Sequence, residues 1–289
     1  MHDSLQRFVF ERTAVRGLLV HLDATWRAVL DRHHYPAPLR QLLGELMAAG
    51  ALLSATLKFD GSLILQMQGD GPVKLVVVEV TSECTLRATA SWNGDLPEAP
   101  LRALLGEGRF AITIVPREGG QSYQGIVALE ADSVAQALEA YMAASEQIET
   151  RIQLACDERR SAGMLLQRLP APEDEDPDTW NRVTRLGTTL RREELLDLPA
   201  QAVIRRLFHE EDVRVFEPTP LSFRCSCSHQ RVVGMLRMLG RDEVRDIVAE
   251  RGCVEVTCEF CRKRYSLDAV DAEQVFAHEV QTFPSPTRH

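Results

Sequence analysis

Four cysteines near the end of the chain constrain it more than any other feature. Cys225 and Cys227 stand as Cys-Ser-Cys, Cys258 and Cys261 as Cys-Glu-Phe-Cys, and thirty residues, Ser228 to Thr257, separate the two pairs. Two close thiol pairs on a chain that folds back can meet at one tetrahedral ion, and a set of four thiolates suits zinc. A piece of about 65 residues rarely draws more than about 3–5 kcal/mol from its core. A structural zinc site contributes about 10–16 kcal/mol of apparent binding free energy, so metal loss is expected to unfold this region. Thiolates are also what oxidants attack, and each has a near partner for a disulfide. Holding the metal and losing it can therefore be two functional states.

The rest of the composition sets the surroundings of that site. With 289 residues and 45% hydrophobic content the chain can bury a core, and its length fits about two domains. No apolar run approaches the roughly 20 residues of a spanning helix. The opening MHDSLQRFVFERT has no signal-peptide apolar stretch. A cytoplasmic location without membrane association is the expectation, and in a reducing compartment seven cysteines read as metal-binding or redox-active rather than as a disulfide framework. The net charge of −9 is uneven: residues 1–220 hold 23 basic against 32 acidic side chains, and residues 221–289 hold 10 against 10. A neutral cysteine module on an acidic body suits a phosphate-backbone binder poorly, and the short Arg262-Lys263-Arg264 run reads as a solvated strand end. No nucleic-acid partner is expected.

Periodicity gives an α+β organisation. Residues 39–57 fit a buried or amphipathic helix, and residues 62–80 two strands around Gly69-Asp70-Gly71-Pro72, followed by a strand at 85–92. FAITIVP and QSYQGIVAL make a hairpin around Glu118-Gly119-Gly120. SVAQALEAYMAASEQI is a helix capped by Ser133, and RIQLAC and AGMLLQRLP are two more strands. These elements imply a mixed or antiparallel sheet body with helices over residues 1–170. The acidic, proline-containing PAPEDEDPD opens a linker, 171–222, that turns helical: Asp197 and Pro199 supply a helix start, and Val203, Ile204, Leu207 and Phe208 form an apolar stripe. That stripe must cover something, either as one more core helix or as a docking element whose attachment is conditional. Residues 223–289 form a small zinc-binding redox-switch domain, with the first thiol pair in a turn, helical spacing around Gly240, and the second pair in a strand-turn-strand.

Other residues compete for roles. Cys253 could shuffle disulfides or substitute as a ligand, but the simpler reading is a small buried hydrophobe beside Val254 and Val256. Cys84 and Cys156 read as strand cysteines of the body. His229 could complete a Cys3His site, although four cysteines already fill the tetrahedron and a surface turn histidine is simpler. His33 and His34 have no nucleophile or carboxylate at a catalytic spacing. A thioredoxin-like oxidoreductase would open a helix with its Cys-X-X-Cys, whereas Cys258-Glu-Phe-Cys261 leads into the strand-like RKRYSL. The zinc-ribbon nucleic-acid module is the better rival, using Arg262, Lys263, Arg264 and Tyr265. No Gly-X-Ser-X-Gly, His-Glu-X-X-His or phosphate-cradling loop is present, so no catalytic residue is assigned and the chain is not read as an enzyme.

A series of segments carries a family resemblance in order along nearly the whole chain. They are Phe10-Glu11 with Val15-Arg16-Gly17, LLGELMAAGALLSATLKFDG, LQMQGDGP, Tyr123-Gln124-Gly125-Ile126-Val127, YMAASEQIET, AGMLLQ, LFHEEDVRVFEP, FRCSCSHQRV and EVTCEFCRKRY. Together with the cysteine spacing, they resemble the thirty-three-kilodalton heat-shock proteins, redox-regulated holdase chaperones. The resemblance implies a reduced, inactive form in which Cys225, Cys227, Cys258 and Cys261 hold one zinc ion. It further implies that oxidative and heat stress join Cys225 with Cys227 and Cys258 with Cys261, that zinc is released, and that the linker loses its fold. The activated form then dimerises and holds unfolding client proteins against aggregation without ATP. Val203, Ile204, Leu207 and Phe208 are candidate client-binding or linker-docking residues, and the folded zinc module is expected to brace residues 185–216 onto the body. Closing a ring across one intervening residue strains a disulfide, so Cys258 with Cys261 is expected to oxidise before Cys225 with Cys227.

Overall fold

The helix Ala37–Ser54 is apolar on nearly every side, from Leu39 and Leu42 through Leu46, Met47 and Ala48 to Leu52 and Leu53. A helix without a polar face must be enclosed, and this one lies between two six-stranded sheets. The computed structural model describes residues 3–170 and 178–277. The chain divides into two compact units, residues 1–224 and 225–289.

In chain order the first unit runs β1 (Ser4–Phe10), β2 (Val15–Leu22), α1 (Ala24–Leu30), α2 (Ala37–Ser54), β3 (Gly61–Gly69), β4 (Val73–Thr81), β5 (Thr85–Trp92), α3 (Leu101–Leu105), β6 (Gly108–Pro116), β7 (Tyr123–Ala128), α4 (Val134–Tyr141), β8 (Thr150–Cys156) and β9 (Ser161–Arg168). It continues with α5 (Thr179–Gly187), α6 (Arg192–Asp197), α7 (Ala200–Phe208), β10 (Val213–Val215), β11 (Thr219–Pro220) and β12 (Ser222–Phe223). One sheet has the order β10-β1-β2-β9-β8, with β11 also on β1, and is antiparallel throughout. The other has the order β12-β5-β4-β3-β6-β7 and is antiparallel except for the β12/β5 pair. This is the mixed α+β body that the strand pattern implied.

The first sheet is buried on both faces. Leu18, Val20 and Leu165 point into the core around α2, while Leu19, Met164 and Leu166 point into a second core shared with α5, α6 and α7. Double burial explains why β1 and β2 show no clean polar-apolar alternation in the sequence. Gly17 of β2 faces Phe8 of β1, and a Cβ there would sit 2.1 Å from the Phe8 ring. The missing side chain is what lets that ring lie across the sheet.

The segment 171–222 departs from its expected helical form. Residues 171–177 lie outside the described residues. Helices occupy only Thr179–Phe208, and residues 213–223 form three short strands that complete the edges of both sheets. Asp197 does not start a helix: it ends α6, and Pro199 alone precedes α7. The helix capped by Ser133, whose side chain accepts from the Gln136 N–H, is α-helical only to Tyr141; Met142–Glu146 is a π-helical turn closed by Gln147 at φ 56°.

The second unit contains α8 (His229–Leu239), α9 (Arg241–Arg251), the hairpin β13 (Val254–Thr257) with β14 (Arg264–Leu267), and α10 (Ala269–Ala277). Its core is small, with Val232, Leu236, Val244, Val254, Tyr265, Leu267 and Phe276 among its members. Among the described residues no helix is long and apolar enough to cross a membrane.

Candidate metal centre

Cys225 and Cys227 lie on irregular chain that ends at Ser228, whose hydroxyl accepts from the Arg231 N–H at 3.3 Å and so fixes the start of α8. Cys258 and Cys261 occupy the turn of the β13/β14 hairpin. That turn is closed by the Cys258 N–H on Lys263 O (3.0 Å) and the Arg262 N–H on Cys258 O (2.8 Å), with Arg262 at φ 60°. The four Sγ atoms converge within 4.8 Å of one another, all half-buried. Sulfur contacts cross between the pairs: Cys225 to Cys258 is 3.7 Å and Cys227 to Cys261 is 3.4 Å. Zn–S bonds of about 2.3 Å in a tetrahedron place sulfurs about 3.8 Å apart, so this donor set fits zinc.

The electrostatics point the same way. Burial pushes the Cys258 thiol up, and the adjacent Cys225 thiol adds to the rise, while the N–H groups of Cys261 and Phe260 pull it down. Cys261 is pushed up to about 12 by burial and then by the neighbouring thiols, against the Lys263 N–H. The Tyr265 hydroxyl donates to Cys227 Sγ at 3.1 Å, and that bond, ahead of burial, pushes Tyr265 up to about 12. Four thiolates this close repel one another. A dication supplies the compensating charge, and the backbone N–H groups and Tyr265 are ready to stabilise sulfur anions.

Other sulfur and imidazole groups stay outside the cluster. His229 is the exposed first residue of α8. Cys253 is half-buried, one residue before β13, and so is not the buried strand hydrophobe expected of it. Cys84 is likewise not a strand residue: it closes the β4–β5 turn at φ 58°, its N–H on Thr81 O. Cys156 does end a strand, β8, and burial pushes its thiol well up. Arg262, Lys263 and Arg264 are exposed, with the Lys263 ammonium 5.1 Å from the Tyr265 ring centroid.

In the first unit, Val203, Ile204, Leu207 and Phe208 are all buried against the outer face of the first sheet. Phe208 packs edge-on to Phe10 with ring centroids 5.0 Å apart, and lies 5.9 Å from Phe8. Polar groups hold the rest of the helical segment. His21 Nε2 meets Leu195 O at 2.9 Å, Arg160 donates to Leu196 O (2.9 Å) and Asp197 (2.6 Å), Gln153 donates to Gly187 O (2.8 Å), and Arg192 donates to Cys156 O. The sequence reading missed these partners. His21 and Leu195 are 174 residues apart, and no local spacing signals such a pair.

Two sheets around a buried helix, a helical segment laid on one of them and a separate four-cysteine unit define a two-unit α+β protein with a candidate tetrathiolate metal centre. The Hsp33 protein family profile matches residues 3–268, and the chain belongs to that family. It is 53% identical over 289 residues to the 33 kDa chaperonin of Methylobacillus flagellatus, covering 99% of each chain. It is also 53% identical over 290 residues to that of Chromobacterium violaceum, covering 100% of this chain and 98% of the relative. The crystal structure of the 33 kDa chaperonin of Thermotoga maritima shares the fold, with a TM-score of 0.83 at 21% identity over 97% of this chain and 100% of that one.

Proposed function

We propose that this chain is a redox-regulated, ATP-independent holdase chaperone whose reduced, zinc-bound form is inactive. Membership of a family whose relatives are named chaperonins supports the class of activity. The observation that carries the regulated version is the presence, in one chain, of a compact four-thiol site and of a helical segment whose apolar stripe is buried on a sheet. Cys225 and Cys227, ahead of α8, and Cys258 and Cys261, in the β13/β14 turn, would together hold one zinc ion and so tie the start of the second unit to its hairpin. When peroxide oxidises two of these thiols, one disulfide forms, two electrons and two protons pass to the oxidant, and water is the product. The site then has half its thiolates and no longer holds the dication. The small core of residues 225–277 does not persist without that staple. Loss of its fold removes the anchor that follows β12; the two- and three-residue strands β10–β12 then peel from β1 and β5, the α5–α7 segment undocks, and the Val203, Ile204, Leu207 and Phe208 stripe and the sheet face beneath it become available to unfolding proteins.

In this reading the disulfides join Cys225 with Cys227 and Cys258 with Cys261, the activated protein pairs with a second copy, and it acts in the cytoplasm. Three measurements on the same samples test it: zinc content, free-thiol count, and light scattering from a denaturing client, before and after peroxide at raised temperature. About one zinc released, four thiols lost and scattering suppressed only afterwards is the expected result. Persistence of zinc and thiols, with salt-dependent RNA or DNA binding by the reduced protein, would replace the proposal with the zinc-ribbon reading.

A further inference from the structure

The long sheet edges of the first unit are treated unequally. On β8, the Asp157 N–H bonds Arg160 O (2.9 Å), so Thr150, Ile152, Leu154 and Cys156 turn their backbone groups away from β9. Side chains engage part of that edge: Thr150 O accepts from Arg151 at 3.2 Å, the Ile152 N–H donates to Glu139 at 2.7 Å, and Cys156 O accepts from Arg192. The edge strand β10 has three residues and carries Arg214, paired with Glu11 at 3.1 Å, and β12 has only two residues. These are the usual protections of a sheet edge, by capping, shortness and charge.

β7 has none of them. Among the described residues it is the last strand of its sheet and pairs with β6 alone. The Leu129 N–H donates to Gly108 O at 3.0 Å, which fixes the phase: Tyr123, Gly125 and Val127 face β6, and Gln124, Ile126 and Ala128 turn their N–H and C=O outward. Among the described residues nothing pairs with those outward groups. No charge falls between Glu118 and Glu130, and Tyr123 and Ile126 are 54% and 53% exposed. The strand is also braced from within: Gly125 lies so close over the buried Tyr141 that a Cβ would sit 2.5 Å from its hydroxyl.

We propose that the outer edge of β7 is a strand-addition site for extended, uncharged segments of non-native polypeptides. The nature of the occupant rests on the holdase reading. Main-chain hydrogen bonds are offered by every polypeptide, so an edge of this kind holds clients without a side-chain code, while Tyr123 and Ile126 supply an apolar contact on either face of the added strand. A second copy is the weaker occupant. Six residues make an edge about 20 Å long, and a sheet with its side chains is about 10 Å thick, so strand addition covers roughly 200 Å² per partner. The total of about 400 Å² is far below the about 1,200 Å² at which specific stable interfaces begin. That area suits a transient hold on an unfolded segment.

The edge is free in the folded chain, and a hold of this size is too weak to suppress aggregation by itself, so the reduced form remains inactive as a holdase while still able to bind a peptide, and the test uses the reduced full-length protein. The probe is a fluorescein-labelled decapeptide of alternating threonine and valine, followed by anisotropy beside the same peptide N-methylated at every second residue. Wild type should bind the first peptide at least tenfold more tightly than the second. Ile126→Pro removes an N–H that β6 does not use, and Ile126→Lys leaves the backbone intact but charges the edge. Each should weaken binding at least tenfold with an unchanged circular dichroism spectrum. Equal binding by wild type and both variants, or no binding by wild type, overturns the proposal. Sedimentation showing a wild-type dimer that Ile126→Lys dissolves would overturn it in favour of a second copy. Peptide binding here does not require oxidation, so loss of oxidation-dependent scattering suppression with peptide binding intact would count against the redox reading alone.

Discussion

Truncating Phe208 to alanine should loosen the helical segment while leaving the body intact. Its ring is 2% exposed and wedged between Phe8 and Phe10, with centroids 5.9 and 5.0 Å away. Phe→Ala at a buried site costs about 3–5 kcal/mol. At about 1.4 kcal/mol per factor of ten, docking is weakened roughly 140- to 3,700-fold. The assay is hydrogen exchange by mass spectrometry on the reduced, zinc-loaded protein, comparing peptides within 179–208 with peptides from α2 and β4. If the segment opens as its own cooperative unit, its amides accelerate by that factor and those of α2 and β4 hardly change. The reduced variant should then suppress client scattering without any oxidant. Equal acceleration across α2, β4 and α5–α7 would refute the reasoning, because the segment would then be one more part of a single core.

Acid should act on the same contact through His21. Burial pushes its pKa below the ordinary value and Arg160 adds to the fall, against the Leu195 bond, which raises it. An undocked His21 takes up a proton more readily than a docked one, so its contribution is complete above about pH 6.5 and declines as pH drops through that value toward the depressed docked pKa. Exchange of α6 amides, corrected for intrinsic rates, should rise between pH 7.5 and 5.5 in wild type and stay flat in His21→Leu; parallel profiles would remove His21 from the coupling. Disulfide mapping at partial peroxide exposure should find Cys258 joined to Cys261 before Cys225 is joined to Cys227, and the opposite order would show that ring strain does not set the rate. Tyr265→Phe removes the hydroxyl on Cys227 and should speed zinc transfer to a chelator severalfold at unchanged stoichiometry; an unchanged rate would mean that this bond does not stabilise the bound thiolate.

What could be read from the sequence depended on the range of the interaction that decides it. The Gly69-Asp70-Gly71-Pro72 turn, the Ser133 cap and the cysteine pairs are set by neighbours a few residues away, and their elements were visible as spacing and turn chemistry. The β1/β2 hairpin was not, because Leu18, Leu19 and Val20 serve two cores at once and erase the alternation that marks a strand. Strands β10 to β12 were missed for another reason: two or three residues make a strand only because β1 and β5 offer edges far away in the chain. The left-handed Cys84 and Gln147 are decided by the way turns close, and nothing in their residue types announces it.

The interior position of β1 in its sheet, between β2 and β10, has a consequence during synthesis. Phe8 pairs with Gly17 on one side and with Val215 on the other, so its outer neighbour is made about two hundred residues later. At translation rates of about 5–20 residues per second, that is a delay of roughly 10–40 s. Strands β3 to β7 arrive as a sequence-local block and can pair as they emerge, whereas the β1/β2 hairpin must wait for β8 to β11 from the far end of the unit. Each newly made copy therefore spends part of its own birth with an unpaired strand and uncovered phenylalanines.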